Sequence, residues 1–174
     1  MAPLVLGDAY GATIEEGAVV PRQAVPVSGH YPAGEIFVSL EERRLYHVRS
    51  PGRAISYPIA TPRDQSLWHG TQTVTAKREW PSWRPTAEML VENPRLPRFV
   101  PGRNRYNPMG ARALHLGHTY YRIHGTDAPW LIGQNVSKGC IRMLNEDVTE
   151  LYESTPIGAK VTVMREAIAV RAAG

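Results

Sequence analysis

In IFVSL, Ile36, Val38 and Leu40 alternate with their neighbours; the pattern breaks at the charged EERR and resumes from Leu45 to Val48. Successive side chains of a strand face opposite sides, so this spacing predicts a β-hairpin. AISYPIA (54–60) and GTQTVTAK (70–77) predict further strands, and Val161 and Val163 place a closing strand in AKVTVMRE (159–166). ARALHLG and TYYRIHG predict a strand pair joined near Gly117 and His118. Helical spacing is clear in NEDVTELYES, where Val148, Leu151 and Tyr152 form one apolar stripe. Asn145 is expected to cap that helix, Glu146 and Asp147 suit its first turn, and Pro156 ends it. The proline-rich run from Glu79 to Pro108 predicts a long ordered loop with one helical turn at TAEML, because Trp80, Trp83 and Phe99 supply apolar surface to pack. Residues 1–34 read as an irregular leader, 35–166 as one domain and 167–174 as a tail. Fifteen prolines and fifteen glycines leave little room for long helices, so the chain is expected to be mostly β.

A chain of 174 residues is long enough to bury a core without disulfide or metal staples. No apolar run approaches the roughly 20 residues that span a bilayer, so no membrane span is expected. The opening MAPLVLGDAY lacks a basic region followed by a long apolar stretch, so no secretory signal is visible; a processed form reads the same, and export stays open. The net charge of +4 raises the question of nucleic acid, but Lys and Arg are scattered among acidic residues and no recognition helix or zinc-finger spacing is present. No nucleic-acid partner is expected.

Chemistry concentrates between His124 and Cys140. The single cysteine is a free thiol: a small buried residue, a zinc ligand or a nucleophile. Zinc is disfavoured because one Cys with scattered histidines does not gather four ligands at short spacing. In TYYRIHG the alternation sets Arg122 and His124 opposite Tyr121 and Ile123, and Gly125 frees the backbone beyond. His124 is thereby expected to face a cleft, close enough along the chain for a loop to return Cys140 beside it. A thiol of pKa ~8.5 is mostly unreactive at neutral pH, and a neighbouring imidazole that takes its proton makes it a nucleophile. Gly139 allows a tight turn whose backbone N–H groups can hold an oxyanion. Arg142 falls on the Cys140 side of an extended chain, where a guanidinium suits a carboxylate. Taken singly, each residue also has a structural reading: Cys140 in a core, His124 hydrogen-bonded, Arg142 salt-bridged, and Lys138 a solvated turn residue.

Taken together, IHGT, VSKGCIRM, NEDVTELY and GAKVTV resemble the catalytic domain of the L,D-transpeptidases, the YkuD-like cysteine enzymes of peptidoglycan. The resemblance runs from about Glu35 to Arg165. It implies a mostly β, YkuD-like mixed β-sandwich with one or two short helices, needing no cofactor or metal. It implies Cys140 as nucleophile, His124 as base, the amides around Gly139 and Cys140 as oxyanion hole, and the Gly125 carbonyl as orienter of the imidazole. Arg142, Lys138 and Ser137 fall on the substrate side. The implied partners are peptidoglycan stem peptides, an envelope protein as an alternative acyl acceptor, and carbapenem β-lactams as covalent inhibitors; the implied location is periplasm or cell wall. Two departures stand out: Lys138 where many members carry a second histidine, and GRNRYNPMG where a shorter glycine-rich approach is common. The same residues also serve a hydrolase or a protein-to-peptidoglycan ligase. A non-catalytic wall-binding module is the rival from another class, and the intact His124, Gly139, Cys140 and Arg142 weigh against it.

Overall fold

The computed structural model describes residues 18–168, together with the backbone of two short paired strands, β1 (Leu6–Gly7) and β2 (Thr13–Ile14). The expected hairpin is β4 (Ile36–Ser39) and β5 (Arg44–Ser50), with Val38 opposite Leu45. β6 (Arg53–Pro62) is longer than the pattern predicted, and β7 (Gly70–Glu79) follows after one short 3₁₀ turn. Next come α1 (Ala87–Glu92), β8 (Arg112–Leu116), β9 (Arg122–His124), β10 (Asn135–Ser137) and β11 (Ile141–Met143). The chain closes with α2 (Asn145–Ser154) and β12 (Lys160–Met164).

Strand pairing runs β6–β11–β9–β8–β7–β12–β4–β5, and β5 pairs back onto β6, so eight strands form a closed ring. The fold is mostly β and mixed: β11 lies parallel to β9 and β12 to β4, while the other ring pairs are antiparallel. Inside the ring, Ile36, Leu45, Tyr57, Ile59, Leu114, Ile123, Ile141 and Met143 are fully buried, and α2 adds Val148 and Leu151 to the same cluster. Burying each Leu or Ile contributes about 1.5–3 kcal/mol, enough for α2 to dock by its apolar stripe.

Two expectations need correction. Part of the stretch expected to be irregular before residue 35 is strand: Gln23–Pro26 forms β3 (Gln23–Pro26) along β6. Proline is tolerated there because β3 lies at the margin of the sheet and Pro26 is its last residue. Asn145 does not cap α2. Leu144 occupies the cap position without a side-chain bond, and the Asn145 carboxamide is engaged elsewhere. β10 and β11 carry too few residues for alternation to reveal them.

The loop between β7 and β8 is ordered by its own contacts. Trp83 and Val100 exchange two backbone hydrogen bonds of 2.8 and 2.9 Å, and the Asn107 Nδ2 donates to the carbonyls of Pro81 and Pro101. α1 is the helical turn expected at TAEML, begun by Thr86, whose hydroxyl accepts from the Met89 amide. Among the described residues no helix is long and apolar enough to cross a membrane.

Candidate active site

The parallel pairing of β9 with β11 sets Ile123 opposite Ile141 and His124 opposite Arg142. Carried back one residue, that register places Cys140 beside Arg122. Since alternate residues share a face, Arg122, His124, Cys140 and Arg142 lie on one side of this strand pair, while Ile123 and Ile141 point into the core.

Each reactive group is held by its own local geometry. His124 is buried at the end of β9, only 4 % exposed, which is deeper than a cleft-facing side chain was expected to lie. Its Nδ1 stands 2.6 Å from the Gly125 carbonyl. A carbonyl only accepts, so Nδ1 carries the proton and Nε2 is the free base. Burial, and after it the charge of Arg142, pulls the imidazole pKa down to about 3, against the opposing pull of the Gly125 and, more weakly, the Met109 carbonyls. The imidazole is therefore neutral at pH 7.

Cys140 is partly buried, and its Sγ approaches the carbonyl of Tyr120 at 3.8 Å rather than the imidazole. The same carbonyl accepts from Arg122 Nη1 at 3.2 Å, so thiol and guanidinium meet at one oxygen. Burial pushes the thiol pKa up, while Arg122 and Arg142 work to bring it down. The resting groups are thus a neutral thiol and a neutral imidazole.

The turn before Cys140 is built around Gly139, at φ +135°. A Cβ there would fall within 2.6 Å of Tyr121 Cδ1 and closer still to Cε1. The Tyr121 ring stacks on Trp68 at 4.7 Å and 4°, and Trp68 Nε1 donates to the Gly139 carbonyl at 2.7 Å. Ser137, placed on the substrate side by the resemblance, is instead 1 % exposed; its hydroxyl donates to the Cys140 carbonyl and receives a long 3.4 Å bond from the Gly139 amide. It shapes the turn. Lys138 is not a solvated turn residue: its ammonium lies 2.5 Å from Glu92 and 3.5 Å from Glu88, both on α1, and Glu92 also meets Arg63 at 3.6 Å. Arg142 keeps its Nε shielded and without a hydrogen-bond partner among the described residues. Concavities of about 540 and 420 Å³ lie beside β5 and β6, and none of the site residues lines them.

Sequence reasoning passed over two site residues. Arg122 was seen on the His124 face, but its approach to the thiol depends on the parallel register of β11. Asn145 was read as a cap, whereas its carboxamide binds Thr126 and Ala111.

A ring of eight strands that offers a thiol, an imidazole and two guanidinium groups on one face of a parallel strand pair defines a candidate cysteine acyl-transfer domain. The chain belongs to the YkuD family of L,D-transpeptidase catalytic domains, which matches residues 33–163. It is 46% identical over 155 residues to the putative L,D-transpeptidase YkuD of Bacillus subtilis, covering 89% of this chain and 79% of that one. It is 36% identical over 157 residues to the probable L,D-transpeptidase YbiS of Escherichia coli, covering 86% of this chain and 50% of the relative. The chain thus spans about half the length of its E. coli relatives. A solved Brucella melitensis protein, described as a probable carnitine operon oxidoreductase, is 41% identical over 83% of this chain and 94% of its own, with a TM-score of 0.55. The catalytic domain of the Enterococcus faecium L,D-transpeptidase shares the fold at a TM-score of 0.58 and 20% identity, over 78% of this chain and all of that one.

Proposed function

We propose that the protein is an L,D-transpeptidase of peptidoglycan in which Cys140 is the nucleophile and His124 the general base. The observation that carries this reading is the shared face of Cys140, His124, Arg122 and Arg142 across β9 and β11. As Sγ attacks the carbonyl carbon of the third residue of a tetrapeptide stem, the thiol proton passes to His124 Nε2. The Cys140 amide serves the oxyanion, a contribution worth about 3–4 kcal/mol in such sites, and the Gly139 amide joins it on leaving its long 3.4 Å bond to Ser137. Collapse breaks the C–N bond, His124 returns the proton to the leaving amine, and D-alanine departs from a thioester. An amine of a second stem then attacks, its proton again moving through His124, and the thiol is released. Arg142, with its shielded and unpartnered Nε, would hold a substrate carboxylate, and the site would work in the periplasm or cell wall. Neutral resting groups fit this scheme: the proton moves as the nucleophile attacks rather than beforehand.

Incubation with purified tetrapeptide muropeptides, products identified by mass, tests the reading. Cross-linked dimer and free D-alanine are expected. Tripeptide alone would make the enzyme a hydrolase, and product formed only on an added envelope protein would make it a ligase. His124→Ala should lose at least the ~10²-fold typical of a missing general base, and wild-type turnover by that variant would refute the assignment.

A further inference from the structure

We infer that Asn145 is a positioning residue for His124, acting through the peptide unit that joins Gly125 to Thr126. The Gly125 carbonyl accepts the His124 Nδ1–H at 2.6 Å, and the Thr126 amide at the other end of the same planar unit donates to Asn145 Oδ1 at 3.1 Å. Asn145 Nδ2 donates to the Thr126 carbonyl at 2.9 Å, and Oδ1 also accepts the Ala111 amide at 3.0 Å. With two N–H donors on Oδ1 and one carbonyl on Nδ2, the orientation of the carboxamide is fixed by its partners.

That unit follows a glycine, so its own residue constrains its rotation least. Gly125 has to be glycine, because a Cβ there would overlap Asn145 Oδ1, as would one at Gly110, whose φ is +64°. The missing side chains admit the carboxamide, and the carboxamide restrains the backbone they leave loose. Held in this way, the Gly125 carbonyl stays aimed at Nδ1. Its strength as an acceptor rises because the amide at the far end is itself donating. The consequence lies at Nε2: the proton is kept on Nδ1, and Nε2 stays free to take the thiol proton.

The inference rests on the reading of His124 as the base. Asn145 is exposed as a residue although its carboxamide is engaged, so substitution there removes the bonds without opening the core. The test labels histidine with ¹⁵N, reads the His124 tautomer by two-bond ¹H–¹⁵N correlation, and measures kcat and KM on tetrapeptide muropeptide for wild type, Asn145→Ala and Asn145→Asp. Wild type should show Nδ1–H. Asn145→Ala should show mixed tautomers and a kcat at least about 10-fold lower, short of the ~10²-fold cost of losing the base, with KM little changed. Asn145→Asp, which still offers an oxygen to the Thr126 and Ala111 amides, should restore much of the lost rate and the wild-type tautomer. An Nε2–H wild type, an Asn145→Ala protein with unaltered tautomer and kcat, or an Asn145→Asp protein with no recovery would each overturn the inference. If Asn145→Ala fails to fold, the wild-type tautomer and the Asn145→Asp rate decide. Turnover by Cys140→Ala in parallel would instead refute the nucleophile, leaving the tautomer comparison to judge Asn145 separately.

Discussion

Replacing Gly139 with alanine puts a methyl group into the face of Tyr121, within 2.6 Å of Cδ1 and closer to Cε1. Trp68 stacks on the ring at 4.7 Å, is itself tied to the Gly139 carbonyl, and blocks retreat on that face. Two costs add: about 1–3 kcal/mol for a non-glycine residue held at φ +135°, and about 1–3 kcal/mol for overpacking. The expected loss is roughly 2–6 kcal/mol, which lowers Tm by about 2–4 °C for each kcal/mol in a chain of this size. The turn carries Cys140, so acylation by a carbapenem, followed by intact mass, should slow as well. Tyr121→Ala in the Gly139→Ala background removes the overlap but leaves the strained φ, so a double-mutant cycle should return only the steric share. A Gly139→Ala protein within about 0.5 kcal/mol of wild type, acylating at the wild-type rate, would refute this account of the turn.

Two further outcomes follow from the charges. Lys138→Ala should release Glu88 and Glu92 and make the α1 segment more open to limited proteolysis, with the difference from wild type shrinking as salt rises; equal digestion at low salt would show that the ion pairs do not hold α1. Acid should destabilise the fold: burial lowers the pKa of His124 to about 3 and of His47 to about 4, so between 6.5 and those values the unfolded state takes up protons that the folded state refuses. At pH 4.5 each histidine costs roughly 3 kcal/mol, while Asp147, raised by burial to about 6, protonates first in the folded state and offsets about 2. The urea midpoint should fall from pH 7 to 4.5, and a rise would contradict the burial of both rings.

The alternating runs were legible as β4, β5 and β12 because each is long enough to show a period and has one buried face. The stripe of α2 was legible for the same reason, as was the place of His124 at the end of its strand. What escaped depends on distant partners. The carboxamide of Asn145 follows the cap pattern in sequence but is claimed by Ala111 and Thr126, 34 and 19 residues away. Lys138 reads as a solvated turn until α1 is folded over it. β3 hides among prolines because its strand character comes from the open side of β6 rather than from its own residues.

The central claim is that Cys140 carries the acyl group. Wild type and Cys140→Ala are mixed with tetrapeptide stem in the absence of an amine acceptor, quenched in acid, and the intact masses and digested peptides are measured. The account predicts one added acyl group, equal to the stem less D-alanine, on the peptide containing Cys140 in wild type and none in the variant. An adduct of the same mass in Cys140→Ala, or an adduct on another residue of the wild type, would contradict it.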